Sequence, residues 1–123
     1  MGLQQEMMKT PEPYVGKWRI THMDAWDQDF VDLATPGYVK IQKDGSGAFQ
    51  FGSVQGEMDC RVDRIADHSM LGFSWDGSDE CDQASGRGWV RVNGKQMEGH
   101  IFLHLGEDSR FTAEKTHDTG RAQ

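Results

Sequence analysis

From Gly16 onward the chain alternates. Lys17, Arg19 and Thr21 flank Trp18 and Ile20, so one side of the stretch is apolar and the other is polar or charged. A two-residue period marks a strand with one face on a core and the other in water. The period returns in residues 38–43 and 47–51. It returns again in 58–62, through Met58, Cys60 and Val62, and in 69–75, through Leu71, Phe73 and Trp75. A last alternating run covers 109–115, and 76–84 reads as a long polar loop.

One segment departs from this period. In residues 24–33, Trp26, Phe30 and Leu33 follow the i, i+4, i+7 spacing of a helix face. Asp24 suits its N-cap, Asp27 and Asp29 complement its positive end, and Pro36-Gly37 stops it. A short helix between the first two strands is expected to lie across one mouth of the sheet.

Turn chemistry sets the pairing. A three-residue loop at 44–46 places Ile41 opposite Phe49 and Val39 opposite Phe51; a two-residue loop would set Phe49 against Lys40. Asn93-Gly94 predicts a type I′ hairpin that pairs Val90 with Met97 and Arg87 with His100. One face of that hairpin holds Gly86, Gly88, Val90, Val92, Met97, Gly99, Ile101 and Leu103, the predicted core side. The other holds Arg87, Trp89, Arg91, Glu98, His100, Phe102 and His104.

About eight short strands in up-and-down order are best closed into a barrel, which removes both edges. The predicted fold is all-β, an eight-stranded antiparallel up-and-down barrel with one short helix between strands 1 and 2. It occupies residues 14–115 as a single domain, with 1–13 and 116–123 as flexible tails. A chain of 123 residues supports one core of that size.

Charge narrows the partners. Thirteen Lys and Arg against 20 Asp and Glu leave a net charge of −7, which argues against nucleic acid and anionic membranes. Cys60 and Cys81 have no CxxC spacing and read as free thiols. With no signal-like or bilayer-length apolar run, the expected location is cytoplasmic. No Gly-x-Ser-x-Gly elbow, P-loop or HExxH occurs, so the reading leans away from an enzyme and calls for no cofactor. Asp76, Asp79, Glu80 and Asp82 lack EF-hand spacing, and no metal is expected.

The opening Gly16-Lys17-Trp18 ahead of an antiparallel meander resembles the lipocalin, fatty-acid-binding and avidin group of barrels, the calycins. That resemblance implies a lipocalin-like barrel with a small molecule in its lumen. It also implies a cation from the chain's end, Arg110 or Lys115, over the Trp18 ring. Across 16–115 the chain is similar to a group of small bacterial proteins without an assigned activity. The matching segments are Trp26-Asp27-Gln28-Asp29-Phe30, Phe49-Gln50-Phe51-Gly52, Ser85-Gly86-Arg87-Gly88-Trp89, and residues 102–109. That second resemblance implies a bacterial source.

Two sites compete. Gly86, Gly88 and Gly99 bare a patch of inner wall, which either admits a ligand or seats large side chains. Phe49, Phe51, Phe73 and Trp75 point to the same interior, with Trp26 and Phe30 at the mouth. The favoured expectation is non-enzymatic binding of a small apolar molecule there. The alternative is a protein-interaction module using Trp89 and Phe102, two exposed aromatics on one outer face, which also suit a homodimer contact.

Overall fold

The structure is a computed structural model describing residues 10–65 and 68–116. Its elements are β1 (Gly16–Met23), α1 (Gln28–Val31), β2 (Tyr38–Ile41), β3 (Ser46–Phe51), β4 (Val54–Ile65), β5 (His68–Asp79), β6 (Asp82–Asn93), β7 (Gln96–Leu103) and β8 (Asp108–Lys115). Each strand pairs antiparallel with the next, and β8 returns to β1 to close the barrel. The expected fold class is the observed one, with one short helix and a 3-10 turn at Glu12–Tyr14.

The alternation predicted for each strand decides what fills the barrel. Trp18, Ile20, Val39, Ile41, Phe49, Phe51, Met58, Cys60, Leu71, Phe73, Trp75, Val90, Met97, Ile101 and Phe111 are all buried on the inner face. At the base, Trp18 is fully buried and donates its indole N–H to the Tyr14 carbonyl at 3.0 Å. The cation implied for its ring is Lys115, whose Nζ lies 5.2 Å from the ring centroid. Gly16 makes room for it. A Cβ there would stand 2.8 Å from Lys115 Cε, and φ of +136° already disfavours any side chain. Burial also pushes the Tyr14 hydroxyl above its ordinary pKa, against a smaller opposing pull from Arg91.

Several expectations change in detail. The β2–β3 loop has three residues, but they are 43–45, so Val39 faces Phe49 and Ile41 faces Gly47. The β6–β7 turn falls on Gly94-Lys95, with Val92 opposite Met97 and Val90 opposite Gly99. Only Gly94 of that pair has positive φ, +64°, as a type II′ turn requires of its first central residue. Both registers slip by two residues, so every side chain keeps its expected face.

The segment read as a loop at 76–84 is instead a tight hairpin. β5 and β6 run on to Asp79 and Asp82, and Glu80 turns the chain at φ +60°. The Glu80 N–H bonds to the Ser53 carbonyl, and the Ser53 hydroxyl bonds to Asp79, tying this turn to the β3–β4 turn.

The helix is shorter than its apolar spacing suggests. Asp24 does not cap it: the β1–β8 ladder still holds its N–H on the Arg110 carbonyl, three residues before the N-cap, and its carboxylate meets His22. Asp27 is the N-cap, accepting from the Phe30 N–H. Val31 is then the buried helical residue, and Leu33, past the helix end, is 67% exposed. Val62 is 50% exposed, since β3 pairs with β4 only as far as Asp59 and leaves the end of β4 without its inner neighbour. The tail expected at 1–13 is fixed from residue 10 on: Thr10 is buried and bonds the Gln42 and Lys43 carbonyls. Residues 1–9 and 117–123 lie outside the described residues.

Candidate functional site

The inner glycines and the aromatic residues named with them do come together, as a packed column. Phe73 sits directly across from Gly88 and Trp75 across from Gly86. A Cβ on Gly88 would come within 2.4 Å of the Phe73 ring, and one on Gly99 within 2.6 Å of the Phe111 ring. At Gly86 the bare backbone lets the Trp75 indole reach the Phe102 carbonyl, at 3.2 Å. Each glycine is thus the seat of a ring, a cross-strand pairing that fixes register.

The column continues upward. Phe49 meets Trp75 edge-on with centroids 5.0 Å apart, and stacks on Phe51 at 5.8 Å. Phe51 meets Trp26 at 5.1 Å, and Trp26 meets Phe30 at 6.1 Å. Phe30 in turn covers Gly52, where a Cβ would be 2.2 Å from its ring, while the Gly52 N–H bonds the Val31 carbonyl. The void left among Ile20, Phe49, Phe51, Phe73 and Phe111 is about 10 Å³. That is no more than one water occupies. That space does not admit a drug-sized or lipid-sized molecule.

The outer face of β6 and β7 is built differently. Trp89 and His100 are cross-strand partners, as are Arg87 and Phe102, and Arg91 and Glu98. His100 stacks on Phe102 with centroids 4.4 Å apart and planes 18° apart, and meets Trp89 at 6.3 Å. The Arg87 guanidinium covers Phe102 at 4.3 Å, and that of Arg91 covers Trp89 at 5.3 Å. The result is a five-member stack, Arg91, Trp89, His100, Phe102, Arg87, lying on the outside of the wall. Arg91 is paired with Glu98, and His100 Nε2 lies 2.6 Å from Asp108. Among the described residues, Arg87 and Arg110 face no carboxylate within ion-pairing distance. His104, expected on this face, lies in the β7–β8 turn, exposed, with its N–H on the Ser85 carbonyl.

Two parts of this surface are invisible in the alternation. Asp108 reaches His100 because the β7–β8 register sets Phe102 against Asp108, which only the length of that turn determines. Gly72 and Ser74, the outward positions of β5 beside Trp89 and Arg87, leave a trough next to the stack. In a linear reading they are merely small residues in a strand.

Comparison with protein-family models, curated proteins and solved structures finds no match to this chain. The class is therefore defined by architecture: a closed, side-chain-filled, eight-stranded meander with an aromatic–cation stack on its outer wall. Among the described residues no helix is long and apolar enough to cross a membrane, and no group of three His, Cys, Asp or Glu is placed to hold a metal ion.

Proposed function

We propose that this protein is an interaction module that binds another protein through the outer face of β6 and β7. The observation carrying this reading is the stack of Trp89, His100 and Phe102 between two guanidiniums, half-buried on a wall whose interior is already filled. Aromatic and arginine side chains supply most interface anchors, because they present large rigid surfaces at small entropic cost. Exposed cation–π contacts add only about 0.5–1 kcal/mol each, too little to need three rings for folding. A lumenal carrier of small apolar molecules would first have to open the void described above.

A photoreactive benzoylphenylalanine placed at position 89, with the same group at Tyr38 on β2 as control, tests the reading in the native host. Covalent protein adducts are expected from position 89 and not from 38. Equal labelling at both positions overturns it, as would stoichiometric uptake of an apolar fluorescent probe that Gly88→Leu abolishes without unfolding the chain.

A further inference from the structure

The stack does not stand alone on the wall. Beside it runs a groove of about 430 Å³ floored by Met70, Gly72 and Ser74 of β5, with Asp59, Arg61 and Asp63 on one bank and Arg87 and Trp89 on the other. Side by side around the barrel, one row reads Asp59, Ser74, Arg87 from β4 to β6. Acid, small residue and base thus lie on three neighbouring strands, all three side chains exposed.

We infer that the partner of this face is a second copy of the same chain, docked about a two-fold axis that passes through Ser74. The inference rests on the interaction reading above and names its partner. A two-fold axis lying in the contact plane along β5 reverses the row, so Asp59 of each copy meets Arg87 of the other, twice. Two chains of net charge −7 repel at long range, so a self-contact must set opposite signs against each other. This axis does that with Arg87, which faces no carboxylate within ion-pairing distance among the described residues. Shape agrees with charge. Two convex barrels related in this way meet over a small patch, and here that patch is the trough at Gly72 and Ser74, which lets the flanking banks close.

Sedimentation velocity of the full chain and of three variants tests this. Wild type is expected to be a dimer in reversible equilibrium with monomer. Arg87→Glu alone and Asp59→Arg alone should each weaken self-association by on the order of tenfold or more, since each homodimer then holds two like-charge contacts. Mixed together, these two variants should restore the dimer as a heterodimer, because both contacts again join opposite charges. Ser74→Arg, which sets two guanidiniums on the axis, should also give monomers. All three positions are exposed, and an unchanged melting curve identifies folded variants; Ser74→Arg and the charge pair serve as independent routes. A wild-type monomer, a dimer indifferent to these changes, or single-variant monomers that do not recover on mixing would each overturn the inference. The adduct mass at position 89 separates the two levels: a foreign protein there leaves the interaction face standing and removes the second copy.

Discussion

The two faces of the β6–β7 hairpin use aromatic rings in opposite ways. Inside, the hairpin contributes bare backbone at Gly86, Gly88 and Gly99, and rings from β5 and β8 lie down on it. Outside, the hairpin contributes the rings itself, and they lean on one another and on arginines. A buried ring removes 150–250 Å² from water, worth roughly 4–6 kcal/mol at the usual coefficient. The outer rings gain a fraction of that. The difference separates residues that hold the barrel together from residues that the barrel merely carries, and the second kind are free to serve a partner.

That separation can be broken in several ways. The largest contrast concerns the thiols. Burial, with Asp59 adding, pushes the Cys60 thiol up to about 12, whereas Cys81 lies exposed at the β5–β6 turn. A disulfide reagent should label Cys81 at once and Cys60 slower by on the order of a thousandfold or more, because it must await opening of the wall. Comparable rates would mean the inner face is open to solvent. Next, Phe73→Ala should cost about 3–5 kcal/mol in urea unfolding, and Gly88→Leu about 1–3 kcal/mol by overpacking the same pair from the other side. Trp89→Ala and Phe102→Ala should each cost less than about 1 kcal/mol. An outer ring as costly as Phe73 would erase the distinction between the faces.

The smallest effect lies away from the hairpin, at the C-cap of α1. Asp32 accepts hydrogen bonds from the Gly37 N–H and the Gln28 amide and pairs with Arg19. The Gly37 N–H above all, with Gln28 and Arg19 adding against some burial cost, holds its carboxyl below the ordinary pKa. A lowered folded pKa means stability that is present above the unfolded carboxylate range and is lost as pH falls through the folded value. Asp32→Asn should therefore lower the melting temperature at neutral pH, with the gap closing in strong acid. A gap that does not depend on pH would assign Asp32 a packing role instead.

Much of the barrel was legible because strand periodicity survives errors of two. Setting Ile41 against Phe49 when its partner is Gly47, or Val90 against Met97 when it is Gly99, leaves each side chain on its correct face. The β5–β6 hairpin was not legible. Asp76, Ser78, Asp82 and Gln83 carry no apolar signal, and their strands persist through backbone pairing and the tie between Ser53 and Asp79. The helix misled in the same way, since its spacing counts Leu33 but Asp24 is already committed to β8. Of the candidate residues, those of the aromatic column were recognisable as neighbours. Whether they enclose space depends on ring orientation, which pattern alone does not carry.

One property of the ladder order bears on how the chain reaches this state. Seven of the eight strand pairings join consecutive strands, and only β1 with β8 joins the two ends, bringing Trp18 beside Lys115. The consecutive hairpins close short loops and can zip in microseconds, while the final seam must gather almost the whole chain and bear its loop-closure entropy. The seam is then the last ladder to form and the first to part. Damage at Trp18 would show chiefly as faster unfolding rather than slower folding.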